Sequence, residues 1–311
     1  LDENASCHLA LGAAYGFNQT SAATFIRDRV LAVLLGGLLG GGLFAAVVYL
    51  FDATAWAWLW AWLVVAAFQG LTAVLAPTLI MPLFNKFTPL PEGRLRQDIE
   101  AYARQQDFPL QGIYTMDGSR RSSKANAMFT GFGRFRRIVL FDTLLDKYRD
   151  DEVLAVLAHE MGHFKRRHVH LLLALGLLVT GLELALLGQL MRWPQLFQAF
   201  GSPERSVYAG LVYGVLVLAP LHVVFGLLIN AISRRFEFAA DAFAAADGLG
   251  PALRSALTKL ATDHRANLTP HRLKVVLDHS HPPVLARLRR LPSPADPGTD
   301  PAGNSSVAAD P

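Results

Sequence analysis

Val153-Leu154-Ala155-Val156-Leu157-Ala158-His159-Glu160-Met161-Gly162-His163 decides the fold around it. The apolar run reads as a helix, and positions four apart on a helix share a face. His159 and His163 therefore aim two imidazoles at one point, as a zinc pair must. Glu160 points partly to the same side, where it can take a proton from an attacking water. With ten His and eight Glu in 311 residues, chance would supply such an HExxH string about 0.01 times per chain. A zinc peptidase site also needs a third protein ligand and one open position.

Outward from this helix the chain is apolar. Hydrophobic residues make up 52% and charged residues 17%, with a positive mean hydropathy. That composition excludes an ordinary soluble domain. Four runs approach or exceed the ~20 residues that cross a bilayer: Leu31–Phe51, Ala55–Ile80, Val169–Met191 and Ser206–Ile232. Trp56, Trp58, Trp60 and Trp62 at one end of the second suit a membrane–water interface. If Asp52–Thr54 and Arg192–Arg205 share one side, 27 of the 29 basic residues fall on the other side or at its margin. The positive-inside rule then puts the 82–168 insert, the zinc helix and the C-terminal segment in the cytoplasm. The net charge of +4 follows from this asymmetry and calls for no nucleic-acid partner. The single Cys7 excludes a disulfide framework and a cysteine-rich zinc site. A start at Leu1, with no Met and no signal-peptide pattern, reads as a fragment or a processed chain.

The expected organisation has five parts. Residues 1–81 hold an interfacial segment and a membrane hairpin. Residues 82–168 are a cytoplasmic α+β insert ending in the zinc helix, and 169–232 are a second hairpin. Residues 233–291 complete the peptidase part, and 292–311, rich in Pro, Ser, Gly, Ala and Asp, form a disordered tail. Within the insert, Gly93–Gln106 reads as a helix with Leu95, Ile99 and Tyr102 on one face. Gln111–Met116, Ala125–Thr130 and Arg137–Phe141 read as strands. Asp150 or Asp151 is the expected N-cap of the zinc helix. Nothing between Phe164 and Met191 forces a break, so that helix is expected to run on into the third span. The fourth span likewise continues into Arg234-Arg235-Phe236-Glu237-Phe238-Ala239-Ala240-Asp241.

Glu237 is the best candidate for the third ligand. Asp241, one turn on, can accept a hydrogen bond from a ligand imidazole and fix its tautomer. On spacing alone, a solvated helix face explains the two acids equally well. Glu183 and His222 fall inside the third and fourth spans. They fit either a wetted cavity wall or a helix–helix hydrogen bond.

The segment Arg235-Phe236-Glu237-Phe238-Ala239-Ala240-Asp241-Ala242-Phe243-Ala244 resembles the third-ligand helix of the type I CAAX prenyl endopeptidases. Further strings resemble that family in order: Tyr15-Gly16-Phe17-Asn18, Pro82-Leu83-Phe84-Asn85-Lys86-Phe87-Thr88-Pro89-Leu90, Asp117-Gly118-Ser119-Arg120-Arg121-Ser122-Ser123, Ile138-Val139-Leu140-Phe141-Asp142-Thr143-Leu144-Leu145 and Ser280-His281-Pro282-Pro283-Val284-Leu285-Ala286-Arg287-Leu288. The resemblance implies a mainly α, polytopic membrane protein. Its helices would form a barrel around an intramembrane chamber, with a small cytoplasmic α+β gluzincin-type zinc peptidase domain. It implies one catalytic zinc on His159, His163 and Glu237, with Glu160 as general base. It implies a peptide or protein substrate, prenylated at a C-terminal cysteine or otherwise membrane-associated, met at the lipid bilayer. Ala125-Asn126-Ala127 matches the segment whose strand edge pairs with extended substrate. His281 and Arg287 match residues near the scissile carbonyl and the adjacent helix packing, where a cation or imidazole can stabilise an oxyanion. Without the resemblance, Asn126 reads as a turn residue, His281 as a loop end and Arg287 as a surface base.

The chain also departs from the family. Four spans are visible where seven are usual, so N-terminal spans are expected to be absent. Leu268–Ser280 lacks the expected aromatic residues, which points to a different substrate pocket. Two other functions compete: a general membrane quality-control zinc protease, and a catalytically silent membrane binding protein. The second would show a broken His159, Glu160, His163 or Glu237, and all four are intact. The expected location is an integral multi-pass position, in the plasma or inner membrane of a bacterium or the endoplasmic reticulum of a eukaryote.

Overall fold

The computed structural model describes residues 16–131, 136–202, 204 and 206–292. Cys7, Tyr15, Arg205 and the expected tail beyond Pro292 lie outside the described residues. Four helices among the described residues are long and apolar enough to cross a membrane: α1 (Ala22–Ala53), α2 (Ala57–Phe84), α6 (His168–Leu190) and α8 (Val207–Ala246). The protein is thus mainly helical and multi-pass. The first helix begins at Ala22, well before the expected Leu31. Ser21 caps it, accepting from the Thr24 amide.

The spans pack in sequence, α1 on α2, α2 on α6 and α6 on α8. The tryptophan row divides between two surroundings. Trp56 and Trp60 are exposed. Trp58 and Trp62 instead meet Gly188 and Gly181 of α6, and the Trp62 indole donates to the Leu177 carbonyl at 2.9 Å. Half of the row thus faces outward and half packs between helices. Helical spacing turns alternate tryptophans onto different faces. In the spans, His222 Nδ1 lies 2.9 Å from Glu183 Oε1. This is the expected helix–helix contact, and both residues also line a cavity between α6 and α8.

Between α2 and α6 lies a four-stranded sheet. Its strands are β1 (Phe87–Pro89), β2 (Gly112–Met116), β3 (Ala127–Thr130) and β4 (Arg137–Phe141), in the order β1-β2-β4-β3. β2 and β4 run parallel, and the two outer pairs are antiparallel. The central strands are apolar on both faces, and Ile113, Ile138, Val139 and Leu140 are buried. β1 falls in the proline-punctuated exit from α2, too short and proline-rich to read as a strand. Helix α3 (Arg94–Gln105) buries Ile99 and Tyr102 as its spacing predicts. Helix α4 (Asp142–Lys147) then leads to the zinc helix α5 (Asp150–Lys165).

Two expectations for α5 are corrected. Its N-cap is Arg149, not Asp150 or Asp151, which lie in the first turn. The reason is Glu152, whose Oε2 reaches back to the Arg149 amide at 2.9 Å. The helix also does not run on into the membrane. It stops at Lys165, and Arg167 takes a left-handed conformation, φ 58°, before α6 starts at His168. The break follows three consecutive bases, Lys165-Arg166-Arg167, at the margin of an apolar span. α8, by contrast, runs unbroken from the membrane to Ala246, as expected. After the short α7 (Pro194–Ala199) and α8 come α9 (Gly250–Asp263), α10 (Arg272–Asp278) and α11 (Val284–Leu288).

Candidate metal centre

α5 and the C-terminal end of α8 pack closely, and Gly162 lets them. A Cβ there would lie 3.1 Å from Phe243 Cβ and 3.2 Å from Ala240 Cα. The glycine inside the HExxH string thus sets the approach that brings Glu237 to the two imidazoles.

His159, His163 and Glu237 form one cluster. His163 Nε2 lies 3.3 Å from His159 Nε2 and 3.4 Å from Glu237 Oε1. His159 Nε2 lies 3.6 Å from Glu237 Oε2. A tetrahedral ion with ligands at about 2.0–2.1 Å holds its ligand atoms about 3.3–3.4 Å apart, so this triangle fits zinc. Glu237 Oε2 is buried and accepts no hydrogen bond, which also fits a carboxylate shaped to hold a cation. Two nitrogens and one carboxylate are the donor set of a catalytic zinc with a position left for water.

The surroundings fix these groups. Asp241 Oδ1 lies 2.9 Å from His159 Nδ1, which puts that imidazole's proton on Nδ1 and leaves Nε2 free for a metal. Arg287 holds Asp241 with two bonds, Nε to Oδ2 at 2.9 Å and Nη2 to Oδ1 at 2.6 Å, and its Nη1 lies 3.3 Å from Glu237 Oε2. Burial lowers the His159 pKa, but the neighbouring Asp241 and Glu237 carboxylates outweigh it and raise it to about 9 in the metal-free cluster. Burial pushes the Glu160 carboxyl above its ordinary value, against the pull of the two histidines. For Arg287, the Asp241 pair outweighs the cost of burial, so its guanidinium stays charged.

Glu160, His163, Glu237 and His281 line one cavity of about 480 Å³, whose other wall includes Met128, Phe129, Thr130 and Gly131. These residues are on and just after β3, an edge strand with one side unpaired by the sheet. His281 Nδ1 lies 3.0 Å from Glu237 Oε1, and this contact raises the imidazole's pKa. Arg287 is not among the cavity-lining residues and sits behind the cluster on Asp241. Asn126 precedes β3. Its Oδ1 accepts from the Ala127 amide at 2.9 Å and its carbonyl accepts from Phe141 at 3.1 Å. Ala125 and Ala127 are buried.

Sequence reasoning missed His168. Its ring packs against His163 and stacks on Phe236, at 4.1 Å and 2° between planes. The signal was a third histidine five residues after the HExxH string.

Fold and centre together define a class: multi-pass membrane proteins with a His-His-Glu cluster fit to hold a metal ion beside the ends of two long apolar helices. The chain belongs to peptidase family M48, whose family model matches residues 89–295. Residues 8–86 match the model described as CAAX prenyl protease N-terminal, five membrane helices. The chain is 37% identical over 282 residues to the CAAX prenyl protease 1 homolog of Oryza sativa subsp. japonica, covering 90% of this chain and 66% of that protein. It is 33% identical over 304 residues to CAAX prenyl protease 1 of Saccharomyces cerevisiae, covering 91% and 66%. The crystal structure of S. mikatae Ste24p superposes with a TM-score of 0.85 at 32% identity, covering 91% of this chain and 70% of that one. The chain thus spans about two thirds of the length of these curated relatives.

Proposed function

We propose that this chain is a zinc-dependent integral-membrane endopeptidase of the CAAX prenyl protease type. It cleaves peptide bonds near the C-terminus of prenylated or other membrane-associated proteins. The observation that carries the reading is one cavity shared by two of the three cluster residues, His163 and Glu237, the Glu160 carboxylate and the free edge of β3. His159, His163 and Glu237 would hold the ion, which when bound supplies Lewis-acid polarisation of the water and the scissile carbonyl.

This chain's own groups do the rest. The β3 edge holds the substrate as an added strand, through backbone bonds that tolerate many side chains. Asn126 keeps the start of that strand in place. Glu160, in its low-dielectric wall, takes the proton from the attacking water and passes it to the leaving amine. His281 donates to the developing oxyanion. Asp241 orients His159, and Arg287 holds Asp241. The five-part division of the chain, a helical intramembrane chamber and a cytoplasmic position for the centre and C-terminal segment belong to the same proposal. The basic asymmetry of the loops supports that orientation.

Cleavage assays on a farnesylated C-terminal peptide and on an unprenylated unfolded protein test the reading. Release of the C-terminal residues from the farnesylated peptide, abolished by Glu160→Gln, is expected. Preference for the unfolded protein would favour a quality-control protease, and cleavage of neither would favour a binding protein.

A further inference from the structure

Each ligand imidazole has one nitrogen facing the cluster and one facing away. For His159, the outward nitrogen meets the Asp241 carboxylate. For His163, no carboxylate among the described residues takes that place. Its Nδ1 lies 3.2 Å from Nδ1 of His168, the first residue of α6. Two imidazole nitrogens at that distance need one donor and one acceptor. His163 Nε2 faces His159 and Glu237, so the proton of His163 belongs on Nδ1. His168 Nδ1 must then be the acceptor.

His168 is also built in. It is 4% exposed, where histidines are commonly at least partly exposed. Its ring lies flat on Phe236, the neighbour of Glu237 on α8. The left-handed Arg167 breaks the helix just before it, so His168 opens α6 and is not a continuation of α5. Three helices thereby meet at one imidazole: α5 through His163, α8 through Phe236 and α6 through His168 itself.

We infer that His168 is a positioning residue of the metal centre, accepting the His163 Nδ1 proton and so fixing the tautomer and ring angle with which His163 Nε2 meets the ion. The ligand histidines are thus held differently, His159 by a carboxylate and His163 by a neutral ring anchored to the third span. This rests on the metal reading above.

The test separates acceptor from packing. His168→Phe keeps a flat ring for Phe236 but has no acceptor. His168→Asn loses the stacking but offers a carbonyl oxygen on a short side chain. Zinc affinity is measured on the full chain in detergent by competition with a chelator. Thermal unfolding of the zinc-stripped proteins is followed in parallel. His168→Phe should bind zinc about 10–100-fold more weakly, the usual cost of losing a partner of a ligand histidine. Its zinc-free unfolding temperature should stay near that of the wild type. His168→Asn should recover part of the affinity. Wild-type zinc affinity in His168→Phe would overturn the inference. So would a loss of affinity in both variants that follows a loss of zinc-free stability, since that describes packing alone. Failure of the wild-type chain to bind zinc would instead overturn the metal reading.

Discussion

Arg287 grips Asp241 with two hydrogen bonds, 2.9 and 2.6 Å long, and the same Asp241 carboxylate contacts His159 Nδ1 at 2.9 Å. The guanidinium therefore acts from behind the cluster, through the acid and through its own 3.3 Å contact with Glu237, and not from within the cavity. Removing it strands a buried carboxylate. Arg287→Met should destabilise the fold by about 3–5 kcal/mol, the cost of breaking a buried pair on one side. Arg287→Lys should recover only part, because an ammonium cannot make the paired fork. Unfolding in detergent would check both. Equal stability of wild type and Arg287→Met would show that water reaches Asp241.

The ligand set gives a direct measurement. The purified chain should carry about one zinc per polypeptide, as a two-His, one-Glu centre does. His159→Ala or Glu237→Ala should lose most of it by metal analysis. A full load in Glu237→Ala would move the third ligand elsewhere.

Glu160→Gln should behave otherwise. Glu160 lines the cavity but is outside the three-residue cluster, so zinc should stay. Turnover should fall by about 10²–10⁴-fold, since the attacking water loses its proton acceptor. Near-normal cleavage by the zinc-loaded variant would refute the general-base role.

The two histidines were legible from helix spacing, whereas Glu237 and Asp241 needed the family resemblance to tell them from a solvated helix face. His159 and His163 are one turn apart, and Glu237 and Asp241 are one turn apart on a helix that plainly continues from a membrane span. The strands β2 and β4 announced themselves by β-branched and aromatic runs. What sequence could not show were features set by tertiary contact. The stop at Arg167 has no glycine or proline to mark it. His168 looks like the first polar residue of a span until Phe236 and His163 are placed beside it. Glu152 reads as one more acid in a first helical turn, yet it is fully buried.

That burial makes stability depend on pH. Burial raises the Glu152 pKa, but Lys259 Nζ at 2.6 Å, Ser255 Oγ at 2.6 Å and the Arg149 amide outweigh it and hold it below the ordinary 4.5. A carboxyl lowered on folding contributes stability above its unfolded value, and that contribution is lost as pH falls through its folded value. Glu152→Gln should therefore unfold at a lower temperature than the wild type at neutral pH. The gap should close as the pH drops below 4.5. Melting curves of the two proteins from neutral pH downward would check this. A gap that stays constant across the range would show that the charge on Glu152 adds nothing.

His281 and Asn126 should separate positioning from transition-state contact. Asn126 holds the first amide of β3 with its side chain and the Phe141 amide with its carbonyl. The free edge of that strand is proposed to receive the peptide. Asn126→Ala should shift the edge and so raise KM and lower kcat together, since a misplaced peptide binds and reacts poorly. His281 projects into the same cavity and contacts Glu237 at 3.0 Å. A donor aimed at a developing oxyanion strengthens only as charge appears, so its loss is felt mainly in kcat. His281→Ala should lower kcat by about a hundredfold with KM little changed. Neither variant should release zinc. Steady-state kinetics and metal content on the same preparations would decide. A change in KM alone makes His281 a binding residue. A fall in zinc content makes it part of the ion's own surroundings, because its contact with Glu237 would then be what holds that carboxylate in place.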